Sequence, residues 1–324
     1  KIKGKPSYLN SPYVTAGDRV YMVGHQNGSF PELGWHIKDE MGGIWNHPIK
    51  LMDGFDVILK FNNENISLNS ASSFTNYPFG NKHQFSLTNK NLEVDRFQFV
   101  PDSMSGISVE YTFRNTGSEP LKFEFEFIGH SDLRPTWLGE RTQMMDGVDT
   151  ATFLDEEGKW LVKDENNTWY VIYGSKEQSI SHSEIENNYL GTGISNSLNY
   201  AFEIGAGETK NITFIIAGSY TSKEDALQTY EAIQENSLDY LSSKKERYAL
   251  LANQSKLTIS DKNLEQAFEW LKYNCDWLIQ TVPEIGTGIT AGIPDYPWWF
   301  GVDSEYALKG YMAIGQTDAV YSTI

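Results

Sequence analysis

Apolar and polar positions alternate along most of the chain up to residue 220. The pattern is clearest where Ile107, Val109, Tyr111 and Phe113 interleave with Ser108, Glu110, Thr112 and Arg114, the period of two that marks a half-buried strand. After the turn-forming run Asn115-Thr116-Gly117-Ser118-Glu119-Pro120, the alternation resumes with Phe123, Phe125 and Phe127 against Lys122, Glu124 and Glu126. Together the two stretches predict an antiparallel hairpin. Further strands are predicted over residues 19–23, 55–61, 84–88, 92–100, 168–174, 198–204 and 209–217, separated by clusters of Gly, Asn, Asp and Ser. Many short strands at this spacing predict a large antiparallel β-sandwich over residues 1–220.

At Thr221 the period changes. Thr221-Ser222-Lys223-Glu224 has the form of a capping box, and Ala226, Leu227, Tyr230 and Ile233 follow at helical spacing. A second helical stretch is predicted over residues 238–252, with Lys244-Lys245-Glu246-Arg247 read as a solvated face. A third begins near Asp261, where Leu264, Ala267, Phe268, Leu271, Cys275 and Leu278 line one face, thickened by Trp270 and Trp277. Residues 281–300 are rich in Gly, Pro and Thr and read as loop, and a helix is predicted from Asp303 to Ile314. The resulting organisation is a sandwich (1–220), a helical linker (221–256) and the opening of a helical domain (257–324). Two helices are too few to bury the stripes of that last region, so further chain is expected beyond Ile324.

Composition narrows the chemistry. A chain of 324 residues has room for two folding units. Its net charge of −17, from 26 Lys and Arg against 43 Asp and Glu, sets it against phosphate backbones and anionic bilayers, so no nucleic acid partner is expected. No apolar run reaches the roughly 18 residues of a membrane span. The single cysteine, Cys275, excludes an internal disulfide and Cys-rich metal sites, and its place on a helix stripe marks it as unreactive core. The six histidines are scattered singly, and no phosphate-binding loop, Gly-x-Ser-x-Gly elbow or His-Glu-x-x-His motif occurs. No cofactor or metal is therefore predicted; calcium held by carboxylates and carbonyls stays open, although there is no EF-hand loop. A start at Lys1 without an apolar signal core suits a processed chain, and a periplasmic or secreted location is expected.

The densest chemistry lies in Gly292-Ile293-Pro294-Asp295-Tyr296-Pro297-Trp298-Trp299-Phe300-Gly301-Val302-Asp303-Ser304-Glu305-Tyr306. Aromatic faces and acids at a loop-to-helix junction suit a sugar, whose C–H face stacks on an indole while carboxylates accept from its hydroxyls. The competing reading is that Trp298, Trp299 and Phe300 are simply core. A second cluster, residues 34–48, holds Trp35, His36 and His47, and a third, residues 132–141, holds Trp137. Each reads either as a sandwich loop completing a sugar site or as a packed contact between domains whose histidines are merely hydrogen-bonded.

This order of elements, and the words of the Gly292–Glu305 stretch, resemble the amylo-1,6-glucosidase part of glycogen-debranching enzymes and, more distantly, glucoamylases and mannosyl-oligosaccharide glucosidases. The resemblance implies a β-supersandwich, linker helices and a truncated (α/α)6 barrel whose first helix is residues 261–280. The following loop is similar to a Gly-x-Pro-Trp-Phe-Gly-x-Asp motif, with Val302 where several members carry Arg. By that resemblance Asp303 holds sugar hydroxyls in the −1 subsite and Trp298 and Trp299 form its wall. Phe300 and Glu305, with Trp35 and His36 from the early loop, complete the expected substrate-binding set. Inverting hydrolysis needs two carboxyl groups about 6.5–9.5 Å apart. In the families resembled these come from later barrel helices, so the chain by itself is expected to be inactive, with its catalytic residues beyond Ile324. The expected function is that of an inverting α-glucosidase of debranching type acting on an α-glucan or related oligosaccharide. A non-catalytic carbohydrate-binding or assembly module and a sugar phosphorylase are the alternatives.

Overall fold

The computed structural model describes the whole chain except the side chain of Glu140, so that end of the predicted loop 132–141 lies outside the described residues. The fold is mainly β, with 41% strand against 24% helix. A nine-stranded sheet runs in the order Ile2–Lys3, Ser73–Tyr77, Gly80–Leu87, Leu92–Phe99, Gly106–Asn115, Thr209–Ser219, Tyr170–Ser175, Lys159–Asp164 and Asp149–Leu154. It faces a second sheet ordered Ser181–Ile185, Ile194–Ile204, Leu121–Ser131, Ile49–Phe61, Gly43–Asn46, Val20–His25 and Pro12–Ala16, with Glu64–Ser67 also paired to Ile49–Phe61. Aromatic side chains from both inner faces fill the core; Phe127 and Phe214 stack across it at 4.2 Å and 9°.

The strands on either side of Asn115–Pro120 are real, but they do not pair with each other. Gly106–Asn115 bonds to Leu92–Phe99 and Thr209–Ser219 in one sheet, whereas Leu121–Ser131 bonds to Ile49–Phe61 and Ile194–Ile204 in the other. The predicted hairpin is thus a crossover between sheets. Its inward residues meet face to face, with Phe113 and Phe125 rings 5.5 Å apart at 81°. Alternation reports which face of a strand is apolar, and says nothing of which strand lies beside it.

Helix α1 (Lys223–Gln254) starts at the Ser222 cap, which accepts from the Asp225 N–H. It merges the two helices predicted here into one, bent at Asn236. Ala226, Tyr230 and Ile233 pack on the outer face of the nine-stranded sheet against Ile172, Ile215 and Ala217. The run at 244–247 is not a solvated face. Lys244 is 1% exposed and donates to the Ala16 carbonyl at 2.9 Å and to Asp102 at 2.7 Å, and Arg247 bridges Asp102 and Asp276. Four consecutive residues cover a whole turn of helix, so such a run cannot stay on one side.

Helix α2 (Lys262–Trp277) is capped by Asp261, whose carboxylate accepts from the Asn263 and Leu264 N–H groups. Its buried face is not the stripe predicted from Leu264 and Leu271, which are 58% and 50% exposed. Trp270, Lys272 and Tyr273 face inward, where the aromatic pair packs on Tyr248 and Leu251 of α1. Lys272 reaches the end of α1 and donates to the carbonyls of Ala252 and Ser255 at 2.8 and 2.6 Å, neutralising the negative end of that helix. Cys275 is half-buried and burial raises its thiol pKa. The stretch read as loop contains a small hairpin, Ile279–Val282 with Gly286–Ile289, before α3 (Gly301–Ala313) and α4 (Thr317–Thr323). No helix is long and apolar enough to cross a membrane.

Candidate functional site

Three segments far apart in sequence converge on the outer face of the second sheet. Residues 33–41 fold back on themselves, with the Met41 N–H donating to Leu33 O at 2.7 Å. Residues 132–138 are held by Thr136, whose N–H and hydroxyl both donate to Pro48 O at 3.0 Å. Residues 292–300 turn tightly through reciprocal bonds of 2.8 and 2.6 Å between Gly292 and Tyr296. The Trp298 indole N–H donates to Trp137 O at 2.6 Å, tying the third segment to the second.

Where they meet, rings stack in series. His36 lies between Trp137 and Trp35, 3.8 Å from each ring centroid, with interplanar angles of 5° and 28°. Tyr296 stands edge-on to His36 at 4.8 Å and 89°. Trp35 ends the stack and is 64% exposed, while its backbone N–H donates to Asp295 Oδ1 at 3.4 Å. His36 is therefore a filling in an aromatic sandwich.

Beside the stack lies a cavity of about 370 Å³ whose wall includes Trp298, Trp299 and Phe300. All three are half-buried, so they are neither sealed core nor free surface. His47 and the hairpin residues Gln280, Val282 and Ile285 complete much of the lining. Burial lowers the His47 pKa to about 4, so the imidazole is neutral at pH 7, within 3.3 Å of the Tyr21 hydroxyl. Gln280 is 1% exposed; its amide N–H donates to Gly17 O at 2.9 Å, and its Oε1 is buried with no partner among the described residues. The Trp299 indole N–H is likewise unpartnered. A largely apolar slot walled by three half-buried aromatic side chains is equipped to take the C–H faces of a ligand.

The acids of the motif stand apart. Asp303 and Glu305 are exposed on the first turns of α3 and do not line the cavity. Asp303 lies in the first turn, where a carboxylate favours the helix dipole. No aspartate or glutamate is among the cavity's described lining residues. Gln280, Val282 and Ile285 escaped the sequence reading; the weak alternation at 279–282, too short to stand out in a Gly-rich stretch, is the signal that could have found the first two.

Behind the stack is a buried ionic cluster that positions it. Lys50 pairs with Asp53 and Asp132 and donates to Glu40 O at 3.0 Å, linking a strand to both sandwich loops. Arg134 pairs with Glu40. Two acids share one lysine, and burial, only partly offset by Lys50, pushes Asp132 up to about 7. Burial also pushes Asp149 up to about 8, although its carboxylate accepts the Leu133 N–H at 2.8 Å. Among the described residues no group of three or more His, Cys, Asp or Glu is arranged to hold a metal ion.

No family model matches the sequence, and no curated protein matches it. Solved structures do match in shape. A bacterial glucoamylase complexed with acarbose aligns over 96% of this chain and 48% of its own, with a TM-score of 0.56 at 10% identity. A human-microbiome protein assigned as a kojibiose phosphorylase aligns over 84% of this chain and 40% of its own, with a TM-score of 0.55 at 11% identity. The chain spans less than half the length of either. At these identities the likeness is one of fold.

Proposed function

We propose that this chain is the sugar-binding front part of a glycoside-processing enzyme, with the saccharide held in the cavity walled by Trp298, Trp299 and Phe300. The observation that carries the reading is the convergence of three aromatic-bearing segments beside a cavity walled by half-buried indoles. Trp35, with its exposed face, extends the site along the stack. Asp303 and Glu305 serve the portion of the site formed with further chain, as the resemblance to debranching-type α-glucosidases implies. No carboxyl pair is among the cavity's described lining residues, and in this reading the general acid and base come from further chain, as the resemblance implies. Calcium is not required by this reading, and the location proposed is periplasmic or secreted.

The test is calorimetric titration of the chain with acarbose and with kojibiose. Trp298→Ala should weaken whichever binds by about ten- to a hundredfold, the roughly 1.5–3 kcal/mol of one large apolar side chain. Equal affinity in the variant removes the cavity from the reading. In a catalytically complete polypeptide, Asp303→Asn should lower kcat/KM at least about tenfold, as expected for a lost charged hydrogen bond. Unchanged kcat/KM would remove Asp303. The phosphorylase alternative takes its support from the second structural neighbour; release of sugar 1-phosphate in phosphate buffer favours it over hydrolysis.

A further inference from the structure

On the far side of the sandwich, α1 bends over the outer face of the nine-stranded sheet and leaves a groove of about 510 Å³. The bend is at Asn236, which has φ −119° and ψ 19°. The Asn236 amide donates to Ala232 O at 2.9 Å, and Ser237 Oγ donates to Ile233 O at 2.9 Å and lies 3.3 Å from Ser108 Oγ. These side-chain bonds to the preceding turn deform the helix locally.

The floor of the groove is two adjacent cross-strand rows, Phe99-Ser108-Ile215 and Phe97-Glu110-Thr213. Glu110 is paired in register with Phe97 on one side and Thr213 on the other, which places a ring, a carboxylate and a hydroxyl side by side on one face. Lys176 and Gln234 also line the groove, and no tryptophan does. Elsewhere on this face acids are paired, Asp95 with Lys82 and Glu93 with Arg114. Glu110 is half-buried, burial raises its pKa, and among the described residues it has no hydrogen-bond or ion-pair partner. A half-buried carboxylate beside a ring, with an exposed lysine on the same groove, suits a sugar, whose C–H face packs on the ring while its hydroxyls donate to the acid.

We propose that this groove is a second saccharide-binding site, with a pyranose ring lying on Phe97, hydroxyls donating to Glu110, and Lys176 donating to a sugar oxygen. The ligand class rests on the saccharide reading above, but the site is separate from the Trp298 cavity. The probe is maltoheptaose, followed by calorimetry for stoichiometry and by tryptophan fluorescence for the cavity alone. The expected result is two bound equivalents in the native chain. Trp298→Ala should abolish the fluorescence change and leave one equivalent. Adding Phe97→Ala or Glu110→Gln to that variant should weaken the remaining equivalent at least about tenfold, with far-ultraviolet circular dichroism unchanged. One equivalent in the native chain together with a fluorescence change overturns the groove and leaves the cavity reading standing. Residual binding in Trp298→Ala that is indifferent to Glu110→Gln also overturns it. Calorimetric binding without any fluorescence change, lost on Glu110→Gln, supports the groove and removes the cavity. No binding at all removes both.

Discussion

Asp102→Ala is expected to destabilise the chain by about 3–5 kcal/mol, the cost of stranding a buried charge by removing its partner. Lys244 is 1% exposed, and among the described residues its hydrogen bonds are to Asp102 and the Ala16 carbonyl. Burial by itself lowers the Lys244 pKa, with Asp102 offsetting part of that. For Asp102, burial acts to raise the pKa, but Lys244 and Arg247 together outweigh it and the carboxylate ends below its ordinary value. The two partners thus respond unequally: the acid shares two cations, whereas the lysine is wholly dehydrated. Arg247 keeps its two bonds of 2.7 and 2.9 Å to Asp276 in the variant, so the loss comes mainly from Lys244. A fall in Tm of roughly 10 °C would accompany it, at about 2–4 °C per kcal/mol for chains of this order of size. Adding Lys244→Met should recover part of the stability, because it removes the orphaned charge. A single-variant loss under about 1 kcal/mol would mean that the network behaves as a screened surface pair. Because Asp102 follows the strand Leu92–Phe99 while Lys244 and Arg247 lie on α1 and Asp276 on α2, this network ties the helices to the sandwich that carries the site.

The second large effect concerns pH. Burial raises Asp149 from 3.8 to about 8, so folding favours its protonated form. The contribution of this group to stability is therefore complete below pH 3.8 and is lost as pH rises toward 8. Asp132, raised by burial to about 7, acts in the same sense over a narrower window. Asp149→Asn should match the native protein near pH 4 and exceed it at pH 9, by up to roughly 5 kcal/mol for a four-unit shift. Melting curves at pH 5 and pH 9 test this: parallel behaviour of the two proteins would exclude a neutral Asp149. Asp149 holds Leu133, next to Asp132 on the segment that carries Trp137. Saccharide binding through the aromatic stack should accordingly weaken in step with the stability loss between pH 5 and pH 9.

Local patterns carried a good part of this molecule. The period of two over 107–113 and 123–127, the capping form of Thr221-Ser222-Lys223-Glu224 and the density of rings at 296–300 each report on near neighbours, and near neighbours are what a linear pattern encodes. The same patterns misled where the partner was distant. Gly106–Asn115 and Leu121–Ser131 carry the alternation of a hairpin yet belong to opposite sheets. The Leu264 and Leu271 stripe is apolar yet exposed, because α2 docks on α1 through Trp270 and Tyr273 instead.

What the residues determined unaided was the mainly β character with C-terminal helices, and the segments dense in groups suited to a sugar. Tertiary structure alone decided that Trp35, His36 and Trp137 stack in series, that Trp298 bonds to Trp137 O, and that Asp303 stands outside the cavity its neighbours line. It also decided which ionisable groups are buried, as at Lys244 and Asp149. The physical reason is range: strand and helix periods arise from each residue's own backbone and its nearest neighbours, whereas stacking, ion pairing and desolvation depend on groups brought together from more than a hundred residues away.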